Sequence, residues 1–205
     1  EWLNVSTETE KQGWVHGQYV STETSDSFDL SDQMVGSSSS IAGKVIVIDP
    51  GHGGRDGGAR GVLYDTIESE LNLSTSFYLE QELIDLGANV LMTRIDNENK
   101  VGLDERVAIS HKYEADAFVS VHYNSAIVPA SGTIAFYHSQ TKDLPLARAM
   151  DRHLNRSDHL QHNGIAYGEY HVLRHNKSPS ILVELGFLSN ASDEEIIRTS
   201  QYQKQ

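Results

Sequence analysis

Three short apolar runs in this 205-residue chain each end on a side chain that can hold or serve a metal ion. VIVIDPGHGG reaches His52, FVSVHYNS reaches His122, and ILVELGFLSN contains Glu184. Near-continuous apolar runs of this kind mark strands buried on both faces of a sheet. An open α/β sheet keeps its ligand crevice at the carboxyl edge of its strands, so three strands that deliver polar groups to one edge describe a site as well as a fold. Two neutral imidazoles with one or two carboxylates form the ligand set of a catalytic zinc that keeps one position open for water.

From Lys44 onward strand and helix patterns alternate, which predicts an α/β fold: a twisted, mostly parallel sheet flanked by helices on both faces. KVIVID reads as a buried strand, followed by a helix over 68–86 with Leu71, Leu79, Leu83 and Leu86 on one stripe and Gly87 placed to end it. NVLMTR supplies a strand, LDERVAISHKY a helix and AFVSVH a strand. GTIAFYH and HVLRH read as further strands, 144–154 as a helix, SILVEL as a last buried strand, and 193–198 as a short helix.

Composition excludes several classes of function. At 38% hydrophobic and 22% charged, the chain suits one domain with a substantial core plus an appendage. No apolar run approaches the roughly 18 to 20 residues of a membrane span. A formal net charge of −13 argues against a nucleic-acid partner, because neutralising phosphates needs clustered Lys and Arg. The absence of cysteine removes disulfides and thiolate sites, leaving His, Asp and Glu to bind a transition metal. The chain opens on Glu1 with neither Met nor a basic, apolar leader, and is expected to be an excised or processed piece of a longer protein.

Residues 1–21 read as short β pieces, with Trp2 and Val5, then Trp14, Val15, Tyr19 and Val20, about a turn near Gln12 and Gly13. They resemble the closing hairpin of a bacterial SH3-like domain, whose end often reads GWV followed by a YV or YL pair. So short a piece cannot bury enough surface to fold alone, which makes it a carboxyl-terminal remnant of such a domain. An irregular arm is the alternative. Residues 22–43 are acidic and Ser-rich, ending in Ser37, Ser38, Ser39 and Ser40, and read as a linker. Only Lys11 opposes the acids that run from Glu1 to Asp32, so much of the charge imbalance belongs to this solvated tether. Residues 44–205 then form the main domain, which carries the candidate site.

Each candidate site residue is weighed against a plainer role. His52 sits in a tight loop between Gly51 and Gly53, directly after a buried strand, where backbone space is cleared for something to approach. Glu68 opens a helix; taken alone, it would merely complement the helix dipole. Alternation along FVSVH puts Val119 and Val121 on one face and Phe118, Ser120 and His122 on the other. A lone His122 would ordinarily be a core histidine bonded to the backbone. Glu184 is hardest to dismiss, since a carboxylate inside ILVEL is buried at a cost of several kcal/mol unless paired, protonated or near a metal. Its pKa is expected to shift, up through burial or down beside a cation. His16, His138, His153, His159 and His162 lie in polar contexts and read as surface residues.

Taken in order, the motifs VIVIDPGHGGRDGGARG, ESELNLS, GANVLMTR, LDERVAIS, ADAFVSVHYNS, VLRH and SPSILVELGFLSN resemble the zinc-dependent N-acetylmuramoyl-L-alanine amidases of the amidase_3 type, bacterial cell-wall hydrolases. The resemblance implies one zinc ion held by His52, Glu68 and His122, with Glu184 as catalytic acid/base. It also implies peptidoglycan as substrate, cut between the lactyl group of N-acetylmuramic acid and L-alanine of the stem peptide, and a secreted or wall-associated place in a bacterium. Departures are modest: RDGGA stands where DPG is usual, ESELNL for EKDLNL, and HYNS for HxNA. The family usually carries one more carboxyl-terminal helix than this chain, so a packing element is expected to be missing.

Asn124, two residues past His122, and Arg174 in VLRH are the candidates to grip peptide carbonyls or carboxylates, with structural hydrogen bonding as the alternative for both. Arg94 and Arg106 are expected to tie helices to loops. The connections over 125–132 and 139–145 look too short for the plugging helix that some relatives carry, which predicts an open site. A zinc exopeptidase acting on wall peptides and a non-catalytic wall-binding module are the rival readings. The first would need a recognition site for a free terminus, and the second would leave Glu184 and both histidines without purpose. A monomer is expected, as no amphipathic stripe asks for a partner helix.

Overall fold

The computed structural model describes residues 2–6, 12–16 and 41–205. The chain divides into two compact units, Glu1–Ser38 and Ser39–Gln205. In the first, β1 (Trp2–Ser6) and β2 (Gln12–His16) pair antiparallel, Trp2 opposite His16 and Ser6 opposite Gln12. The turn expected near Gln12 and Gly13 is therefore misplaced, since both residues belong to β2. Tyr19, Val20 and the tether up to Ser40 lie outside the described residues.

The second unit is built on a six-stranded sheet: β3 (Val45–Pro50), β4 (Asn89–Met92), β5 (Ala117–Asn124), β6 (Thr133–Tyr137), β7 (His162–Tyr167) and β8 (Ser180–Phe187). Its spatial order is β4-β3-β5-β8-β6-β7. The first four run parallel; β6 opposes β8, and β7 runs with β6. This is the mixed, mostly parallel α/β sheet that the strand pattern predicts.

Pleat alternation sorts the side chains of the central strands. Val47, Phe118 and Leu182 form one cluster with Val107 of α2 (Leu103–Lys112) and Val172 and Leu173 of α4 (His171–Arg174). Ile48, Val119, Val121, Ile181 and Val183 form another with Leu79 and Leu83 of α1 (Glu68–Asp85) and Ala147 of α3 (Leu144–Leu154). Helices thus cover both faces, and both clusters draw on the consecutive strand residues that read as fully buried. Burying a residue such as Phe118, wholly shielded here, is worth about 1.5–3 kcal/mol.

Three local expectations need correction, and one strand was missed. HVLRH is not a strand but the single turn α4, whose Val172 and Leu173 both pack into the cluster of Val47, Phe118 and Leu182. HNGIAY is the edge strand β7, hidden from the sequence pattern by its polar start and by Gly164 at φ +83. Leu86 is half-exposed at the end of α1 and leaves the stripe; Gly87 at φ +86 ends the helix as expected. His162 is no surface residue: its ring is buried between Thr133 and Asp151. After α5 (Ala191–Ile197) one further short helix, α6 (Ser200–Gln203), seats Tyr202 against Leu188 and Ile197.

Candidate metal centre

The site forms where β3, β5 and β8 end. Past Pro50 the chain turns through Gly51, whose missing side chain is required because a Cβ would stand 2.1 Å from the His122 ring. His52 follows with φ 60, a left-handed conformation unusual for a residue with a side chain. Two buried guanidiniums hold this backbone from beneath. Arg94 donates to the carbonyls of Pro50 (2.8 Å) and Gly51 (2.7 Å), and Arg106 to those of Pro50 (2.7 Å) and His52 (2.6 Å). Asp49, 1% exposed, balances part of that charge, accepting from Arg106 (2.6 Å), Thr93 (2.6 Å) and Ser120 (2.7 Å).

Glu68 enters from the first turn of α1. Its Oε1 lies 3.1 Å from His52 Nε2 and 3.0 Å from His122 Nδ1, while Oε2 accepts from the Ala59 amide at 2.8 Å. Gly58, at φ +68, leaves room for it, since a Cβ there would meet Glu68 Oε2 at 2.4 Å. Burial by itself raises the Glu68 carboxyl, but hydrogen bonds from His122 and His52 outweigh it and hold the group well below the usual carboxylate range. The same contact with Glu68 is the main reason the His52 imidazole is raised, against its own burial. One ligand atom from each of His52, Glu68 and His122 lies within 4.8 Å of the other two. Both imidazoles remain partly open, with side chains 26% and 18% exposed.

Glu184 stands beside this cluster as the register partner of His122 across β5 and β8. It is 8% exposed, and its Oε2 is buried without a hydrogen-bond partner. Burial, reinforced by the negative charge of Glu68, pushes its carboxyl up to about 8. These residues line one cleft of about 430 Å3. Its walls carry four carboxylates, Asp49, Asp56, Glu68 and Glu184, against two permanent cations, Lys100 and Arg106. The converging donor atoms and the unpartnered Glu184 oxygen fit a divalent cation at His52, Glu68 and His122.

Residues 46–205 match the Amidase_3 family, described as N-acetylmuramoyl-L-alanine amidase. The chain belongs to that family. It is 35% identical over 167 residues to "Uncharacterized protein YqiI" of Bacillus subtilis, covering 80% of each chain. To the "Probable cell wall amidase LytH" of Staphylococcus aureus it is 32% identical over 203 residues, which are 97% of this chain and 65% of that one. Among solved structures it is similar to the catalytic domain of CwlV, an N-acetylmuramoyl-L-alanine amidase from Bacillus (Paenibacillus) polymyxa. The TM-score is 0.75 at 33% identity, covering 78% of this chain and 90% of that one. AmiC2 of Nostoc punctiforme gives a TM-score of 0.75 at 31% identity, covering 80% and 91%.

Within this amidase-family site the remaining candidates separate. Asn124 lines the cleft at the end of β5, its Oδ1 accepting from the Ser125 amide at 2.8 Å. Arg174 is not among the lining residues; it projects half-exposed from α4, 3.5 Å from Glu169. Neither the 125–132 nor the 138–143 connection carries a helix. Sequence reasoning missed Asp56, Lys100, Tyr170 and His171, all in the cleft lining. Asp56 alone had a signal, an acid four residues past His52 in the same glycine loop. Burial tends to raise its carboxyl, but Lys100 and then His52 bring it down to about 2.

Proposed function

We propose that this chain is a zinc-dependent peptidoglycan hydrolase that cleaves the amide between the lactyl group of N-acetylmuramic acid and L-alanine of the stem peptide. The observation that carries the reading is Glu184: a buried, unpartnered carboxylate on a central strand, directly beside the His52, Glu68 and His122 donor set, in a chain of the amidase family.

In such a three-residue set zinc contributes Lewis acidity, making water a stronger acid and polarising a carbonyl. The chain's own residues supply the rest. His52, Glu68 and His122 would hold the ion, and a ring nitrogen that bound it would give up the hydrogen bond it now makes with Glu68. Glu184 takes the proton of the attacking water and returns it to the leaving amine, so no covalent intermediate on the protein is required. Burial raises that carboxyl before an ion binds and a neighbouring cation would lower it, the pair of influences by which one carboxyl can both take and return a proton. Asn124 lines the same cleft and is assigned to hold a substrate carbonyl through its amide nitrogen. Arg174, outside the lining, is assigned to substrate beyond the scissile bond.

Peptidoglycan as substrate implies a secreted or wall-associated protein, and a monomer is proposed because no amphipathic stripe in the sequence asks for a partner helix. The family membership and the wall-amidase name of LytH support that place. Among the described residues no helix is long and apolar enough to cross a membrane.

The test is digestion of purified peptidoglycan with and without a chelator, with metal content measured on the same sample. Stem peptides with a new amino-terminal L-alanine, released only in the presence of metal, are expected. Release of single terminal amino acids instead would assign the site to an exopeptidase, and no release from a zinc-loaded protein would refute the amidase.

A further inference from the structure

The clamp formed by Arg94 and Arg106 sets the backbone of His52 but not the direction of its ring. The ring is a quarter exposed, so packing does not lock it either. Besides Glu68 at Nε2 (3.1 Å) and the His122 ring edge-on at 5.0 Å, it meets Asp56, whose Oδ1 accepts from Nδ1 at 2.9 Å. Asp56 is itself fixed from several sides. Its backbone exchanges hydrogen bonds with Gly53 at 2.8 and 3.2 Å, Oδ1 also accepts from the Gly58 amide at 3.2 Å, and Oδ2 accepts from Lys100 Nζ at 3.0 Å. Lys100 arrives from the connection between β4 and α2, which lies so close to the glycine loop that a Cβ on Gly54 would meet the Lys100 nitrogen at 2.4 Å.

We infer that Asp56 is a positioning residue of the metal centre, anchored by Lys100. The inference rests on the zinc reading above. A carboxylate on Nδ1 keeps a proton on that nitrogen, so that Nε2, which now faces Glu68 at 3.1 Å, is the atom that would offer its lone pair when an ion replaces its hydrogen bond. Because the bond is charge-assisted it also resists rotation of a ring that solvent would otherwise share. Lys100 occupies the second oxygen and keeps the carboxylate plane aimed at His52. Asp56 touches neither substrate nor reacting atoms in this role; it acts through His52.

The experiment compares wild type with D56A, D56N and K100M. Zinc affinity is read by competition with a chromophoric chelator at fixed pH, beside the thermal midpoint of each chelated protein and the hydrolysis rate at saturating zinc. D56A is expected to bind zinc about 10- to 100-fold more weakly. D56N loses less, since its side-chain oxygen still accepts from Nδ1, and K100M also loses less than D56A. The chelated midpoints stay together, and saturating zinc restores most of the rate. A merely structural role would lower the chelated midpoint of D56A and leave affinity in the folded fraction unchanged. Wild-type zinc affinity in D56A overturns the role of Asp56, and wild-type affinity in K100M overturns that of Lys100. A wild type that binds no zinc at all sinks the metal-centre reading itself.

Discussion

His122 and Glu184 are Cα partners on the neighbouring parallel strands β5 and β8. The pairing places an imidazole and a buried acid on one pleat face, at a spacing set by the backbone ladder and not by a loop. Sites built on strands hold their geometry more tightly than sites built on connections. The same face carries Asp49 and Ser120 one pleat below, joined at 2.7 Å, so the floor of the site is hydrogen-bonded before any ligand arrives.

Glu184→Gln tests the acid/base role. The amide fills the same volume and removes only the ability to take up a proton, so metal content should be unchanged. The rate of amide release should fall by about 10²- to 10⁴-fold. Turnover retained by a zinc-loaded variant would move the base role to another residue.

Zinc should act as a stabilising ligand. Glu68 and the two histidines are assembled only in the folded chain, so an ion that binds them favours the native state. At a free concentration of 100 times Kd the gain is about 2.7 kcal/mol. Chelation should therefore lower the unfolding midpoint, added zinc should restore it, and His122→Ala should abolish the response. A midpoint indifferent to chelator in the wild type would contradict the donor assignment.

Much of this was legible in the sequence, for a physical reason. The edge that carries the candidate site lies on central strands, whose apolar runs are long enough to show both the strand and the polar residue that breaks it, as in ILVEL around Glu184. Alternation alone placed His122 and Phe118 on one face. The edge of the sheet was illegible because β7 buries little and α4 is a single turn, so neither displays a period. The first turns of α1 escaped the stripe argument for the opposite reason. Their buried side chains include Glu68 in the site, Asn72, which donates to the Gly51 carbonyl at 3.1 Å, and Thr75, which bonds Tyr123 at 2.7 Å. Asp56 and Lys100 belong to loops, where only three-dimensional contact gives an acid or a lysine its meaning.

Arg106 is expected to matter more for folding than its place on a helix suggests. It is 3% exposed and binds Asp49 and two carbonyls of the His52 loop. Arg106→Met would leave Asp49 buried without that cation, a change that costs about 3–5 kcal/mol. Denaturant unfolding should show a loss of that size. Arg106→Lys should recover only part of it, since an ammonium cannot span Asp49 and the loop carbonyls as the guanidinium does. A loss within experimental error for Arg106→Met would mean that Thr93 and Ser120 suffice to hold Asp49.

Glu194 gives a stability that depends on pH. It reaches back from α5, fully buried, to accept from the amides of Leu63 (2.6 Å), Tyr64 (3.0 Å) and Thr66 (3.2 Å) and from the Thr66 hydroxyl (2.7 Å). Burial alone would raise its carboxyl, but these bonds outweigh it and bring the group below its ordinary value of 4.5. A depressed carboxyl stabilises the fold above its unfolded pKa, and that contribution is lost as pH falls through the lower folded value. Glu194→Gln should thus cost about 2–3 kcal/mol at neutral pH, as hydrogen bonds to a charged acceptor are lost. The gap between wild type and variant should stay level down to about pH 5 and then narrow. Gly61→Ala should give a similar loss by a different route, because its Cβ would stand 1.8 Å from Glu194 Oε1 and expel the carboxylate from its seat. Unfolding free energies measured across pH 3 to 8 would settle the matter, and a gap that widened in acid would overturn the assignment.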